Sequence, residues 1–444
     1  MARTASVTLS GFGRTTSVIV PAVRPEREQE LLAAVRNAAA GGLLAYGGGR
    51  SYGDCALISG GTALLTRRMD RLLAFDPARG ELVCVAGVTV GELVRVFLPR
   101  GFFPPACPGS AQVTVGGAIA NDVHGKDQAA AGSFGDHVRW IDLVLPSSEV
   151  VRVSREARPE LFEATIGGVG LTGVVLRACL ALAPAPSTAV SWRAQRVADL
   201  DALLLALEEA ARTVPFVVGW VDGTARGNQL GRGILETARP APEGGGARPP
   251  SSRLPDLGAV PSLLFTPRTV AAWNEWRLRR VPEQGRSRTL DAHRFFFPLD
   301  ASHVYTRLRM HELHAVFPEA DAGRGLRRVL EAVAASGVAP LLVVVKRFGR
   351  AGLGHLSFAI PGHSLVVDLP ASAGARTLLD RLEGLIAVHG GRVYLAKDST
   401  LSADRFARMY PRLPAFRQVL SEVDPGGVFR SELATRLRVR EASA

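Results

Sequence analysis

The first residues in this sequence able to do chemistry are glycines. The run Gly47-Gly48-Gly49-Arg50-Ser51-Tyr52-Gly53-Asp54 follows a short apolar stretch, Leu43 to Tyr46. A glycine loop at the end of a strand can aim several backbone N–H groups at an anion, because glycine reaches positive φ and places no side chain in the way. That describes a phosphate cradle. The run is neither GxGxxG nor GxxxxGK[ST], so spacing alone leaves a flexible turn as an equal alternative. Further small-residue segments follow in the same half of the chain: Pro108-Gly109-Ser110 with Gly116-Gly117, Gly132-Ser133-Phe134-Gly135, and Gly167-Gly168-Val169-Gly170. Two such segments can pinch one dinucleotide; four unrelated turns is the competing reading.

The elements that must position these loops are legible in outline. Apolar residues at helical spacing from Arg24 to Ala40, behind Pro25 and three glutamates, predict a helix that stops at Gly41-Gly42. Short strands are expected at Leu43–Tyr46, Thr62–Leu65, Leu72–Phe75 and Leu82–Ala86, with a helix over Thr89–Leu98. The β-branched residues Val113, Thr114 and Val115 predict a loop and a short strand, with Ala118–Asp122 helix or strand. A hairpin is expected for Val138–Leu145 and Val150–Val153 around Pro146-Ser147-Ser148, then a long strand over Leu171–Leu182. After Pro184-Ala185-Pro186 strands and helices alternate: Ala189–Val197, Asp199–Arg212, Phe216–Asp222, Leu326–Ser336, Pro340–Arg347, His355–Ala359, Leu365–Leu369 and Ala375–Gly390. That texture predicts an antiparallel sheet covered by helices, beginning near residue 187. The run Arg239–Pro261 has no periodicity and is expected to be a mobile surface loop or lid.

With 444 residues, 47% of them hydrophobic and 21% charged, the chain is long enough for two cores. Its formal charge of +12 favours anionic partners, but the basic residues are spread along the chain and form no nucleic-acid arm. The cysteines Cys55, Cys84, Cys107 and Cys179 have no metal-ligand spacing and read as packed thiols, so no metal is expected. No signal peptide and no bilayer-spanning apolar run is visible, which points to a cytoplasmic protein with at most peripheral membrane contact.

The four small-residue segments, in this order and spacing, resemble the FAD-binding domain of the vanillyl-alcohol-oxidase superfamily, the PCMH-type flavin fold. Within it they resemble the decaprenylphosphoryl-β-D-ribose 2′-oxidase subfamily. The similarity runs from Leu9-Ser10-Gly11-Phe12-Gly13-Arg14-Thr15 through Val115–Ala120, His124-Gly125-Lys126 and Ala131–Gly135. It resumes at Lys346, Ile360-Pro361-Gly362, Val367-Asp368, Tyr394–Ser399 and Met409-Tyr410-Pro411. The resemblance implies an α+β, two-domain flavoprotein: an FAD-binding domain over 1–187, a substrate domain over 188–391, and a segment 392–444 that completes the first. It implies FAD contacts from Gly47, Gly49, Arg50, Ser51, Tyr52, Gly53, Pro108, Gly109, Thr114, Gly117, Asn121, His124, Gly125, Val174 and Lys397. Arg50 stands where many relatives attach FAD through a histidine, so FAD is expected to be held noncovalently.

By the same resemblance, Lys397 of the Tyr-Leu-x-Lys-Asp-Ser segment and Lys346 face the flavin and substrate, with an exposed side chain as each lysine's ordinary fate. His124 is read either as a partner to flavin or substrate or as a group fixing its turn; Tyr52 lines the active site or simply packs. Chemistry on a carbinol needs a base or a cation beside the departing proton, which suits these residues. The substrate wall departs from the subfamily: Glu312 and His314 stand where glutamines are expected, Ser364 for asparagine, Val366 for cysteine and Phe296 for tyrosine. Three hypotheses follow. One is oxidation of the 2′-hydroxyl of a polyprenylphosphoryl pentose, completed by a separate NAD(P)H-dependent reductase, at a membrane surface that would suit the basic charge and the Arg239–Pro261 run. The second is oxidation of a soluble sugar, nucleoside or aminoglycoside-like alcohol. The third is a basic nucleic-acid-binding protein whose glycine clusters are turns.

Overall fold

The computed structural model describes residues 5–38, 41–242, 265–298, 300 and 308–440. Of the run Arg239–Pro261, Arg239 and Pro240 end a strand, and everything from 243 onward lies outside the described residues.

The architecture is α+β, as expected. Residues 5–65 form a four-stranded sheet in the order Ala5–Ser10, Ser17–Val23, Thr62–Leu65, Leu43–Tyr46, with the last two pairings parallel. A five-stranded antiparallel sheet follows, ordered Leu72–Asp76, Glu81–Val85, Val174–Ala181, Val138–Val144, Val150–Ser154. The predicted hairpin is its last pair. The helix Val90–Phe97 starts where a capping box forces it to: Thr89 Oγ1 accepts from the Glu92 N–H, and the Glu92 carboxylate accepts from the Thr89 N–H at 2.8 Å.

Apart from a two-stranded pairing of Phe102–Phe103 with Ala183–Pro184, the remaining strands build one eight-stranded antiparallel sheet: Arg286–Asp291, Ala189–Val197, Gly233–Pro240, Phe216–Val221, Leu342–Phe348, Gly362–Pro370, Met310–Pro318, Arg392–Val393. The helices Leu200–Thr213, Ala322–Ala335 and Ala373–Val388 bury one stripe each against it, led by Leu203, Leu326 and Leu382. The other face is left for a site. In its three central strands the register aligns Glu312 with Asp368 and Leu342, His314 with Val366 and Val344, and Val316 with Ser364 and Lys346. Side chains alternate across a strand, so this one register decides which groups share the free face.

Beyond Val393 the chain returns to the first sheet. Leu43 N–H donates to Val428 O at 2.8 Å, Phe429 forms a parallel bridge with Leu43, and Ser59 N–H donates to Glu432 Oε1 at 2.7 Å.

Three expectations about elements need correction. The β-branched trio around Thr114 is not a strand: Thr114 caps a short helix, Val115–Ala120, its Oγ1 accepting from Gly117 N–H at 3.1 Å, so the hydroxyl serves as a cap and not as a ladder residue. His355–Ala359 is loop, folded back on itself by Gly354 N–H donating to Ser357 Oγ, which in turn donates to the buried Asp122. The first helix covers only Glu28–Arg36 and closes at Asn37.

Candidate active site

The glycine run leaves the strand Leu43–Tyr46 and lines a cavity of about 310 Å³, inside the usual size range for ligand sites. Gly49 adopts φ +63°, and an added Cβ would sit 2.4 Å from Tyr46 Oη, so both its conformation and its space require glycine. Around it the backbone is tied on two sides: Phe12 N–H donates to Ser51 O at 2.7 Å, and Tyr52 N–H to Ala396 O at 2.9 Å. The cradle is thus built from three distant segments. Pro108, Gly109, Thr114, Gly117, Asn121, His124, Gly125 and Val174 line the same cavity, with Arg50, Ser51 and Tyr52. The glycines of the lining and an Arg50 Nε that has no hydrogen-bond partner among the described residues fit a phosphate-bearing cofactor.

Two of the named residues do not reach the cavity. Gly53 lies behind the loop, packed so closely on the Lys397 segment that a Cβ would fall 1.7 Å from Asp398 O; its task is to let the two loops touch. Ser364 shares the sheet face but lies beneath the lining, fully buried, with no hydrogen-bond partner for its hydroxyl among the described residues. The third glycine segment is elsewhere too. Gly132 packs against Asp136 and Arg350, whereas the fourth, through Val169, Gly170, Thr172 and Gly173, joins the first two in the lining.

The opposite wall is polar. Phe296, Glu312, His314, Lys346 and Val366 all line it, together with Lys397. Lys397 Nζ lies 3.4 Å from both Glu312 oxygens and 3.9 Å from the Tyr52 ring centroid. Lys346 sees the cavity, yet lies deep in the protein; burial lowers it to about 8, with Glu312 opposing the shift and Lys126 and Lys397 adding to it. His124 and His314 stack edge to face at 4.8 Å among Phe348, Phe358 and Tyr394. Burial, then nearby ammonium groups, holds both imidazoles well below their usual range, so both are neutral. His314 Nδ1 is 3.8 Å from Glu312 Oε1, too far for a hydrogen bond, and neither of its ring nitrogens has a partner among the described residues.

Sequence reasoning passed over several lining residues. Lys126 stands in the His124-Gly125-Lys126 segment and was given no role; its ammonium donates to Phe295 O, lies 3.9 Å over the Phe295 ring, and is lowered by burial to about 8. Its place beside a motif was the available signal. Asp368 and Tyr394 line the cavity as well, Tyr394 Oη donating to Asn121 O at 2.8 Å. The four cysteines are buried and unpaired, as expected; burial pushes Cys55, against the glycine loop, up to about 12, so it is an inert thiol.

This geometry agrees with comparisons to known proteins. A model of the FAD binding domain matches residues 21–154, and one of D-arabinono-1,4-lactone oxidase matches 369–437. Decaprenylphosphoryl-beta-D-ribose oxidase of Mycolicibacterium smegmatis is 31% identical over 453 aligned residues, which cover 97% of this chain and 97% of that protein. The chain belongs to the decaprenylphosphoryl-β-D-ribose oxidase family. It is an FAD-dependent oxidoreductase of the PCMH type, and the first three of its glycine clusters fall inside the matched FAD binding domain. An uncharacterized protein in the mprA 5′ region of Streptomyces coelicolor is 37% identical over 79% of this chain and 100% of its own length. D-arabinono-1,4-lactone oxidase of Eremothecium gossypii is 27% identical over 49% of this chain and 41% of its own.

Proposed function

We propose that this protein oxidises a secondary hydroxyl of a sugar to a ketone, with noncovalent FAD, and that the sugar is a pentose carried on a polyprenyl phosphate. The observation that carries the reading is the convergence of Lys126, Lys346 and Lys397 on one cavity whose other wall is a glycine cradle. The cradle residues Gly47, Gly49, Arg50, Ser51 and Tyr52, with Pro108, Gly109, Thr114, Gly117, Asn121, Gly125 and Val174, would hold the cofactor. FAD held by these residues would supply the acceptor for the carbinol hydrogen, taken as hydride. The arginine in the glycine loop cannot form the covalent link a histidine makes, which supports noncovalent attachment.

The chain's own residues then have to manage one proton and the charge it leaves behind. Lys397, held by Glu312, faces the oxygen as it becomes an alkoxide. Lys346, at about 8, is partly neutral near physiological pH and accepts the hydroxyl proton. His124 is neutral and offers a hydrogen bond, not a charge. Tyr52 holds the Lys397 ammonium over its ring. Phe296 and Val366 pack the sugar, while Glu312 and His314, whose ring nitrogens have no hydrogen-bond partner among the described residues, read its other hydroxyls. A ketone at this position is the first half of an epimerisation, so a separate NAD(P)H-dependent reductase would finish it.

A second reading is favoured by the same wall. Glu312 and His314 add a carboxylate and an imidazole to the site, and buried polar groups discriminate strongly against substrates that leave them unpaired. They suit a soluble sugar, nucleoside or aminoglycoside-like alcohol. Anaerobic bleaching of the flavin separates the two: reduction by a short-chain prenylphosphoryl pentose supports the first reading, and reduction only by soluble alcohols replaces it with the second. Release of yellow colour on denaturation and filtration tests the noncovalent attachment.

A further inference from the structure

The helix Pro267–Arg279 has an inner face that is fully occupied and an outer face with an unusual composition. Inside, Val270, Asn274 and Leu278 are buried, and Asn274 Nδ2 donates to Asp222 Oδ1 at 2.7 Å. Outside, Trp273 and Trp276 are 59% and 46% exposed, stacked on each other at 4.6 Å. Large aromatics side by side in water are an uncommon use of apolar surface, and such patches mark contact sites. The Arg280 guanidinium lies 4.6 Å over the Trp276 ring. The helix and its cap carry four arginines, Arg268, Arg277, Arg279 and Arg280, against one acid, Glu275, which is already paired with Arg232 and Arg279.

The helix also has a defined place relative to the cavity. Arg277 lies 4.3 Å over Trp220 and 3.6 Å from Glu236. Trp220 sits two residues along the strand from Val218, which lines the cavity, and the field of Glu236 reaches Lys126 inside it. The aromatic face is therefore braced on the side of the sheet that carries the site.

We propose that the outer face of this helix docks the protein on an anionic lipid bilayer, with Trp273 and Trp276 as interfacial anchors and Arg268, Arg279 and Arg280 against the headgroups. Indoles settle at the depth of the headgroups, and arginines beside them meet the negative surface charge. The formal charge of +12 acts in the same direction. A bilayer needs no matching pocket, which suits two protruding rings flanked by cations. The inference goes beyond the sugar reading and holds whichever alcohol is oxidised.

The test is cosedimentation of the full-length holoenzyme with phosphatidylcholine vesicles, with and without phosphatidylglycerol, without substrate. Binding should need the anionic lipid and weaken as salt is raised. Trp273→Ala/Trp276→Ala should bind at least tenfold more weakly, and Arg279→Gln/Arg280→Gln about thirtyfold, since each surface arginine contributes about a factor of five. Flavin absorbance of the variants checks that they remain folded. No binding by the wild type at low salt, or equal binding by the wild type and the double tryptophan variant, overturns the proposal. So does vesicle-independent self-association that the tryptophan variant abolishes, which would make the face a protein contact.

Discussion

Lys346→Met separates catalysis from folding with one substitution. In the folded protein the ammonium is lowered from 10.5 to about 8, mainly by burial. If Lys346 takes the hydroxyl proton, only its neutral form works, and at pH 7 roughly one-tenth of it is neutral. The rate of anaerobic flavin reduction should therefore climb about tenfold per pH unit below 8 and level off above it. Methionine keeps the length and removes the amine, so the rate should fall by roughly 10²–10⁴, about 3–5 kcal/mol in the barrier, and the pH dependence should vanish. Stability should move the other way. Between about pH 8 and 10.5 the unfolded chain binds a proton that the folded chain does not, so the wild type gains stability as pH rises through that window, and below it carries a penalty of roughly 3 kcal/mol. Lys346→Met lacks the penalty and should be at least as stable as the wild type at pH 7 in thermal unfolding. Stopped-flow reduction across pH 6–9 is the assay. A wild-type rate flat over that range, or a methionine variant that keeps more than a tenth of the rate, refutes the role given to this lysine.

Glu312→Gln removes the carboxylate 3.4 Å from Lys397, and flavin reduction should slow at least tenfold, about 1.4 kcal/mol; a change under twofold would separate Lys397 from its supposed partner. Arg436 bridges Asp54 behind the glycine loop and Asp398 behind Lys397, both at 2.8 Å, so Arg436→Met should cost on the order of 3 kcal/mol in unfolding and release FAD more readily. Burial raises Glu383 to about 7, although Thr400 and Arg405 hold it. Between about pH 4.5 and 7 the folded state keeps a proton the unfolded state has lost, so stability should decline as pH rises through that window, and Glu383→Gln should flatten the decline in thermal melts.

Much of the cofactor wall was legible because its signals are local. A strand running into three glycines states its backbone needs within a few positions. Misreadings arose where a side chain had a use that periodicity ignores. Thr114 was read as β-branched strand material, yet its hydroxyl starts a helix. Gly132 looked like another cradle glycine, but its positive φ turns the chain toward Asp136 and Arg350. Lys126 was visible beside His124, and no spacing rule says that its ammonium bends back to Phe295. The family resemblance, not hydropathy, singled out Glu312 and His314 in a buried central strand; only the register shows that they share a face with Lys346 while Ser364 sinks below it.

The late return of the chain to its first sheet has a consequence for biogenesis. Asp54 and Arg436 are 382 residues apart, and Leu43 waits for Val428 and Phe429 before its edge is closed. A ribosome therefore exposes the glycine loop long before the residues that brace it exist, while the eight-stranded sheet is already complete at Val393. Cofactor capture belongs after translation. A nonsense mutation in the last helices would yield a chain with a finished eight-stranded sheet and a glycine loop that lacks its Arg436 brace, a product for quality control to remove.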